Sequence, residues 1–421
     1  MEKNTIHKNG GTPDLNIPGA FLAVFLSAIV IRILLACLYS GFIPDQMDMI
    51  EWGARLINFG PSRFYAPEVQ MPYPPLYLWL LYLVSAVSGI DHIESLQIAT
   101  FYLRLIPVIF DLATGVLIYA VLEKKKYPHP VLLSALYFLN PAIMFNSAIW
   151  GQTDACFMFF VALMCVFLED KKADMAVLSF CAGCLIKQQT AVFFPVLIVA
   201  VVKDFLSSER KKNMMAYFRG LLWGFVMFLI VSVPFNVTKV IGCYFETLGY
   251  YSFASCNAWN FWSLMRLNMT DTSELWLFGL TIRSWGNIMI ICIMILFVLL
   301  VLYGKKMKNS FPVMAAMIII PVFTFWTAMH ERYLFSGLVL LLLSYVYSKH
   351  RGFVYFYAAF SFLHLINVWQ VYADLMTTYF GGAVFGKHPV EIMLFISAAT
   401  VIATIGLYVF VFGTRRPSGD L

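Results

Sequence analysis

The stretch IPGAFLAVFLSAIVIRILLACLY, residues 17–39, is an almost unbroken run of apolar side chains. A helix needs about 20 such residues to cross the hydrocarbon core of a bilayer. The hydrophobic part of a cleavable signal peptide is shorter and ends at a cleavage site with small residues, and no A-x-A site is present here. The stretch therefore predicts a first membrane span that remains in the protein.

The composition extends this prediction to the whole chain. Of the 421 residues, 61% belong to the hydrophobic set and only 12% are charged, and the mean hydropathy is +0.78. Soluble domains carry about 25% charged residues, so a cytosolic enzyme, a disordered protein and a nucleic-acid binder are excluded. The apolar runs are continuous, whereas the strands of a membrane β-barrel alternate between apolar and polar residues. We therefore expect an all-α, polytopic membrane bundle.

Twelve apolar segments are long enough to cross the membrane or nearly so. They cover about residues 17–39, 98–122, 131–149, 155–168, 173–186, 190–202, 217–235, 287–303, 311–328, 333–347, 353–369 and 390–412. A thirteenth segment, residues 76–90, decides the topology, because every later loop changes side if this segment spans.

Basic residues concentrate on the cytoplasmic side of a membrane protein. Here they cluster at Lys3 and Lys8, in the segments 123–126, 169–172, 203–219, 304–308 and 348–351, and at Arg415 and Arg416. If segment 76–90 does not span, most of these residues lie on one side together with both termini, so we predict that it forms an interfacial or re-entrant helix. Two long loops, about residues 41–97 and 235–286, then lie on the extracytoplasmic side, where we expect the active face.

The first long loop begins with IPDQMDMIEWGARLINFG, residues 43–60. Its apolar side chains recur at the spacing of one helix face: Met49, Trp52, Leu56 and Ile57. This pattern predicts an amphipathic helix along the membrane surface. Asp45 and Asp48 share one edge of that helix, where a carboxylate can take a proton from a hydroxyl nucleophile. The alternative is a solvated polar face with Asp45 as the helix N-cap.

Two polar motifs interrupt the apolar segments near the same predicted face. Lys187, followed by Gln188, separates two half-spans. We expect its ammonium group to bind a phosphate, and the alternative is a side chain that only extends to the interface. The turn from Trp150 to Asp154, with Gln152 at its centre, is typical of a helix N-cap with an interfacial tryptophan. A substrate contact is the alternative.

The motif MHERYLF, residues 329–335, lies at a third membrane edge. His330 and Arg332 suit an anionic leaving group, and we expect Glu331 to hold one of them in place. The motif is not HExxH and the other histidines are scattered, so no His-bound metal is expected. An aromatic-rich stretch in the second long loop, residues 244–262, is typical of sugar stacking or of an interfacial aromatic belt.

Three charged residues lie inside the predicted spans. They are Arg32, Arg104 and Asp111. A charge in the hydrocarbon region is costly unless it is paired, so we expect an intramembrane ion pair that holds helices together. A role linked to function is the alternative.

These motifs, in this order, resemble the GT-C superfamily of membrane glycosyltransferases, which use polyprenyl-phosphate sugars. The pattern is similar to that of the endoplasmic-reticulum glucosyltransferases of lipid-linked oligosaccharide assembly and of bacterial mannosyltransferases related to the glycosylphosphatidylinositol pathway. The resemblance rests on Asp45 to Trp52, Tyr73 to Leu76, Arg104 with Asp111, Trp150 to Asp154, Lys187 with Gln188, and His330 to Arg332. It covers about residues 17–335, and the C-terminal segment 353–421 has no assigned role.

The sequence departs from the family pattern in two motifs. The endoplasmic-reticulum enzymes have Asp-x-Glu where this chain has Asp45-Gln-Met-Asp48, which leaves the base open between two aspartates. Their His-Phe-Gln-Tyr-Asn is replaced by Trp150-Gly-Gln-Thr-Asp154, which leaves the sugar and the acceptor open.

The resemblance implies a single GT-C-like domain over residues 1–421, with amphipathic jaw helices in its first external loop. It implies an inverting transfer of a hexose, of mannose or glucose type, from polyprenyl phosphate to an extracytoplasmic lipid-linked or cell-envelope glycan, with Asp45 or Asp48 as general base. The implied phosphate ligands are Lys187, His330, Arg332 and Arg104. The implied substrate contacts are Tyr73, Trp150, Gln152, Asp154, Gln188 and Glu331.

The implied partners are the sugar donor, a glycan or glycolipid acceptor and the lipid bilayer, with no nucleic acid, cofactor or metal. Short basic loops suit a bacterial plasma membrane, and the endoplasmic-reticulum membrane is the alternative location. Two rival functions are a polyprenyl-linked glycan polymerase or ligase, whose large loop usually lies late in the chain, and a flippase or transporter. Transporters usually contain internal repeats, and the sequence shows no such symmetry.

Overall fold

The fold, taken from a computed structural model, is all-α, as the sequence predicted. The structure describes residues 18–66, 69, 73–246, 250–303, 310–380 and 390–413. This part of the chain contains seventeen α-helices, and its only sheet is one parallel pair of two-residue strands. The N-terminal lysines, segment 304–308 and the C-terminal arginines, which enter the topology prediction, lie outside the described residues.

The helices are α1 (Gly19–Leu38), α2 (Ile43–Phe59), α3 (Pro75–Ser88), α4 (Leu96–Lys124), α5 (Pro130–Phe138), α6 (Pro141–Met144), α7 (Asp154–Glu169), α8 (Ala173–Ile186), α9 (Phe194–Phe205), α10 (Arg210–Ser232), α11 (Val237–Glu246), α12 (Phe261–Leu264), α13 (Ile282–Tyr303), α14 (Phe311–Phe325), α15 (Phe335–Ser348), α16 (Gly352–Phe380) and α17 (Val390–Gly413). The strands are β1 (Ser255–Cys256) and β2 (Met329–His330). A π-helix, Phe145–Trp150, continues α6, and 3-10 helices, Gln188–Phe193 and Glu331–Leu334, lead into α9 and α15.

Within the described ranges, seven helices are long and apolar enough to cross a membrane, or eight if the bent pair Pro130–Phe138 and Pro141–Trp150 counts as one span. Three shorter apolar helices, α3, α8 and α14, have 14, 14 and 15 residues. Such a helix is about 21 Å long, whereas the hydrocarbon core is ~30 Å thick. The chain is therefore an integral membrane helical bundle, and the number of about twelve spans stays a prediction.

The first long loop leaves and re-enters the bundle at the same end. The side-chain amide of Gln97, in the first turn of α4, donates to the backbone carbonyls of Cys37 and Tyr39 at the end of α1 (2.6 and 2.9 Å). α3 lies beside the last turn of α10, where Trp79 Nε1 donates to the carbonyl of Val231 (3.0 Å). The first contact shows that the chain between α1 and α4 returns to the end of the bundle where it started; that α3 is not a full span stays a prediction.

The basic loops of the described chain meet at the opposite end of the bundle. Lys124 after α4 pairs with Asp170 after α7, with Nζ 2.6 Å from Oδ2. Lys203 in α9 lies over the ring of Phe311 at the start of α14, 5.4 Å from its centroid. The hydroxyl of Tyr127 donates to two carbonyls in the last turn of α15. The bundle therefore has a basic end and, opposite it, an end where the first long loop lies.

Two breaks in the helices shape the end opposite the basic loops. α5 and the following helix are bent by 43° at Asn140 and Pro141, because proline has no N–H to donate and Asn140 caps the new helix by accepting from the backbone of Ala142 (2.8 Å). α8 ends where Lys187 takes an extended backbone conformation, and Pro195 lies in the first turn of α9. The predicted break at Lys187 between two half-helices is confirmed.

The bundle interior contains the intramembrane ion pair that the sequence predicted. Arg32 Nε of α1 lies 2.7 Å from Asp111 Oδ2 of α4, and both side chains are fully buried. The same carboxylate oxygen accepts from Ser147 Oγ (2.5 Å), and Arg32 Nη1 donates to the carbonyl of Phe138 (2.8 Å). One ion pair therefore ties α1 and α4 to the bent helix pair.

Arg104, which the resemblance placed among the phosphate ligands, is used differently. Its guanidinium donates to the backbone carbonyls of Ala36 (2.8 Å) and Ala148 (3.2 Å). It also contacts Gly151, whose φ is +83° and where a Cβ atom would lie only 2.4 Å from Arg104 Cγ. Arg104 thus holds α1, α4 and the π-helix together, and only glycine fits at residue 151.

Removing one partner of the core ion pair should destabilise the protein more than removing both. We expect Arg32→Leu to lower the free energy of unfolding by about 3–5 kcal/mol, because it leaves the buried Asp111 carboxylate unpaired. The double variant Arg32→Leu with Asp111→Leu should recover part of that loss. Thermal unfolding of the protein in detergent measures both, and a double variant less stable than Arg32→Leu would contradict this account.

Candidate active site

Asp45, in the first turn of α2, lies at the point where three elements of the site meet. Its Oδ2 accepts hydrogen bonds from Trp150 Nε1 (2.9 Å) and Gln152 Nε2 (2.7 Å), both in the turn before α7. Arg332 Nη1 is 3.9 Å from the same oxygen, and the Asp45 side chain is 20% exposed. Oδ1 has no donor among the described residues, so one oxygen is fixed and the other can accept a proton.

The amide of Gln152 has a fixed orientation. Its Oε1 accepts from the backbone N–H of Thr153 (2.9 Å) and from the hydroxyl of Tyr73 (3.3 Å). The amide nitrogen must then face Asp45, since only that end can donate. Tyr73 begins the Tyr-Pro-Pro-Leu turn into α3, so this amide connects both helices of the first loop to α7.

Lys187 is held at the break between α8 and α9 by a buried ion pair. Its Nζ lies 2.6 Å from Asp154 Oδ1 at the start of α7, and the two side chains are 5% and 2% exposed. The ammonium group also lies over the rings of Tyr73 and Tyr333, 5.6 and 5.5 Å from their centroids. Asp154, predicted as a substrate contact or N-cap, is therefore the counter-ion of the predicted phosphate ligand.

Arg332 is the second buried cation of the site. Its Nη1 lies 3.0 Å from Glu331 Oε1, as the sequence suggested for this motif, and its guanidinium lies 6.0 Å from the ring centroid of Trp150. The Nε of Arg332 and the Nε2 of His330 are both buried and have no hydrogen-bond partner within the described chain. A buried donor without a partner costs free energy, so both atoms are candidates for contact with a ligand.

The surroundings shift the pKa of three groups in the loops of the site. Burial, together with the charges of Arg332 and Lys187, lowers the pKa of His330 well below its usual value, so the imidazole is neutral at pH 7 and offers a hydrogen bond but no charge. Burial raises the pKa of Glu331 to about 7, against the opposing effect of Arg332. Partial burial and the neighbouring Asp45 and Glu51 raise the pKa of Asp48 to about 6.

These groups surround a cavity with a volume of about 350 Å³. Its lining includes the predicted residues Asp45, Asp48, Tyr73, Gln152, Lys187, Gln188 and Arg332. Trp150, Asp154 and Glu331 lie behind this lining, each in contact with one of its charged residues. Arg104 does not line the cavity, so its predicted contact with a phosphate is not supported by this geometry.

A smaller apolar pocket of about 60 Å³ adjoins the cavity between the 3-10 helix Gln188–Phe193 and α14. The two share Gln189, Val192, Trp326, Met329 and Tyr333 as lining residues. The far wall of the smaller pocket is formed by Phe157, Ile319, Val322 and Phe323. A charged cavity thus continues into an apolar groove between two helices.

The second long loop forms one wall of the cavity, which the sequence did not predict in detail. Its strand β1 pairs with β2, so that Ser255 is opposite Met329 and Cys256 opposite His330. Tyr251 lines the cavity, and its ring lies 4.4 Å from the ring of His330. Among the described residues of the aromatic stretch, Tyr251 is the one that lines the cavity.

Asn367 of α16 holds that wall in place, and sequence reasoning missed it. Its side chain accepts from the backbone N–H of Trp259 (3.0 Å) and donates to the carbonyl of Asn257 (2.9 Å). Asn257 is bridged in turn to His330. A polar residue inside an apolar span was the available signal, but it lay in the C-terminal segment to which no role was assigned.

Neither the protein-family models nor the curated proteins contain a match to this chain. The function is therefore argued from the geometry of the site.

Replacing Asn367 should loosen the wall without unfolding the bundle. Asn367→Ala removes two hydrogen bonds, each worth about 0.5–1.5 kcal/mol, so amide hydrogen exchange at residues 257–260 should rise roughly tenfold. Gln370→Ala, on the same helix, is the control, since Gln370 bonds only to Asp374 within its own helix. Equal exchange in both variants would show that Asn367 does not hold the loop.

Proposed function

We propose that the protein is an inverting membrane glycosyltransferase of the GT-C type. In this proposal it moves a hexose from a polyprenyl-phosphate carrier to a lipid-linked or cell-envelope glycan acceptor. One observation carries the proposal: a single cavity brings together carboxylates, Lys187 and Arg332, and this cavity adjoins an apolar groove. A substrate with an anionic head, a sugar and an apolar tail matches all three parts.

Lys187 and Arg332 suit the phosphate of such a donor. Both line the cavity and both are at least 93% buried, where a charge-assisted hydrogen bond is stronger than in water. Arg332 Nε supplies a further donor that no described protein group uses, whereas His330, which does not line the cavity, contacts Tyr251 of its wall. Because the phosphate leaves with the electron pair of the broken bond, donors at this position favour the transition state.

The apolar groove suits the beginning of the isoprenoid chain of the carrier. It runs between the 3-10 helix before α9 and α14, and its walls carry aliphatic and aromatic side chains. Gln189 and Tyr333 line both the groove and the cavity. With the phosphate near Lys187 and the isoprenoid chain in the groove, the bond between phosphate and isoprenoid lies where the cavity joins the groove. The sugar, on the other side of the phosphate, then lies in the cavity.

Asp45 is proposed as the general base. Its Oδ2 is fixed by Trp150 and Gln152, which leaves Oδ1 to accept the proton of the acceptor hydroxyl. The hydroxyl oxygen forms the new bond to the anomeric carbon while the bond from that carbon to the phosphate oxygen breaks. One displacement of this kind inverts the anomeric configuration. Holding both substrates in line supplies much of the rate enhancement.

The sugar would contact the aromatic and amide groups of the cavity wall. Trp52 and Tyr251 offer aromatic faces, and Gln188 offers donors and an acceptor. Aromatic rings with a polar group nearby suit the apolar faces and the hydroxyl groups of a hexose. These residues support the proposal of a carbohydrate-binding wall, without favouring one particular hexose.

We place the site on the extracytoplasmic side of a bacterial plasma membrane, with α2 and α3 as the two jaw helices of a bundle of about twelve spans. Support comes from the basic loops containing Lys124 and Lys203, which lie at the opposite end of the bundle. The positive-inside rule assigns that end to the cytoplasm. Membrane-impermeant labelling of Lys124→Cys and Ser252→Cys distinguishes the two orientations: only the second should react from outside.

The function itself is tested with the purified protein in lipid vesicles. The vesicles are supplied with a panel of polyprenyl-phosphate hexoses and a mixture of lipid-linked glycan acceptors, and release of free polyprenyl phosphate is measured. We expect release with at least one donor that depends on the acceptor. Movement of an intact donor across the bilayer without release would instead support a flippase.

The two aspartates of α2 form a matched pair for testing the base. We expect Asp45→Asn to lower kcat by about 10²–10⁴-fold, while Asp48→Asn, one helical turn away, changes it only slightly. Both variants keep the side-chain shape, so similar unfolding temperatures would exclude misfolding. If Asp48 is the base, Asp48→Asn is the inactive variant, and the activity of the wild type falls below about pH 6, the pKa of Asp48.

Lys187→Ala, made together with Asp154→Asn so that no buried carboxylate is left unpaired, should chiefly weaken binding of the donor. Loss of one charge-assisted hydrogen bond, about 1.5–3 kcal/mol, predicts that KM for the donor rises by at least tenfold while KM for the acceptor stays nearly constant. Lys239→Ala is the control, because that exposed lysine bonds to the carbonyl of Tyr65. If the KM for the donor does not change when Lys187 is replaced by alanine, Lys187 does not bind the donor phosphate.

A further inference from the structure

A short hairpin before α13 carries an apolar surface that the proposed function does not use. Residues 274–281 form this hairpin, closed by the bridge between Leu275 and Thr281. Its exposed apolar side chains are Leu275 (71%), Leu277 (46%), Phe278 (89%) and Leu280 (40%). Large apolar side chains clustered in so short a segment mark an interaction surface rather than a solvated loop.

The backbone fixes this display. The N–H of Trp276 donates to the carbonyl of Leu280 (2.8 Å), and the indole Nε1 of Trp285 donates to the carbonyl of Leu277 (3.0 Å). Phe278 sits at the tip with a positive φ of 55°, a conformation that is costly for a side chain of this size. These hydrogen bonds therefore give the hairpin a defined conformation that exposes the Phe278 side chain.

The hairpin continues the outward-facing stripe of α13. The exposed side chains of that helix recur at intervals of one turn: Ile288, Ile291, Ile295, Val298 and Leu302. Trp285 lies one turn before this stripe on the same face, and its ring centroid is 6.1 Å from that of Phe278. α13 is one of the helices long and apolar enough to span the membrane, so its exposed stripe faces lipid.

We propose that residues 275–280 insert into the lipid interface at the site's end of the bundle and anchor the second long loop to the bilayer. We expect lipid to cover the apolar surface of the hairpin, because this surface is continuous with the lipid-facing stripe of α13. Its composition, Leu and Phe beside Trp, suits the boundary between head groups and acyl chains. The charged Arg283 bonds instead to Thr272 at the base of the hairpin (3.1 and 3.3 Å).

The anchor is connected to the wall of the cavity through backbone hydrogen bonds. Arg283 N donates to the carbonyl of Thr272 (2.9 Å), and Thr272 N donates to the carbonyl of Ser252 (2.7 Å), next to Tyr251. The following residue, Phe253, accepts from Ala328 N (2.9 Å) in the segment that leads into β2. The position of the hairpin in the bilayer thus fixes the position of the cavity wall, in which the ring of Tyr251 contacts that of His330.

The test places an environment-sensitive NBD fluorophore on Phe278→Cys, with the exposed native residues Cys37 and Cys292 replaced by serine. The protein is reconstituted in phosphatidylcholine vesicles with or without lipid brominated near the head group. Ile291→Cys, on the exposed stripe of α13, is the lipid-embedded reference. Ser208→Cys, in an exposed loop at the basic end, is the aqueous reference.

We expect brominated lipid to quench the label at residue 278 at least half as strongly as the label at residue 291. Quenching indistinguishable from that at residue 208 overturns the proposal. A label that is shielded from water but not quenched, together with a disulfide between two copies of Phe278→Cys, overturns it in favour of a protein contact. None of these readouts requires sugar transfer, so failure here is separable from failure of the proposed function.

Discussion

A buried charge in a membrane bundle needs a partner, and the arrangement of the helices follows from satisfying this requirement. The charges in the interior are therefore paired, because an unpaired one would cost several kcal/mol. The pairs are Arg32 with Asp111, which joins α1 to α4, Lys187 with Asp154, which joins the end of α8 to α7, and Arg332 with its sequence neighbour Glu331. The first lies inside the bundle, whereas the other two lie beside the cavity and fix the position of its cations.

Much of this arrangement could be predicted from the sequence, because the signals are local. The break at Lys187 follows from a charged residue in an apolar run, and the amphipathic helix at Asp45 follows from the spacing of its apolar residues. The sequence predicted an intramembrane ion pair and a contact between Glu331 and a neighbouring cation. It did not predict that Asp154 is the partner of Lys187, since this depends on how neighbouring helices are rotated. Arg104 shows the difference: the family resemblance implied a ligand for phosphate, but its guanidinium donates to backbone carbonyls of two neighbouring elements.

The pairing has a consequence for any anion that enters the cavity. Lys187 and Arg332 already contact carboxylates, so a phosphate must compete with Asp154 and Glu331 for them. The raised pKa of Glu331, about 7, makes this exchange less costly, because the carboxyl can take up a proton and release Arg332. On the proposed function, the affinity for the donor should therefore increase as the pH falls through 7, provided that the charge of the phosphate itself does not change.

The carboxylates of the site divide into two groups by accessibility: those that hold a cation in place and those that a substrate can reach. Asp154 and Glu331 are 2% and 3% exposed, do not line the cavity, and are each bound to a cation. Asp45 lines the cavity, is 20% exposed and is held chiefly by the neutral donors of Trp150 and Gln152. Neutral donors orient a carboxylate without pairing it with a cation, so on the proposed function Asp45 keeps the access that a general base requires.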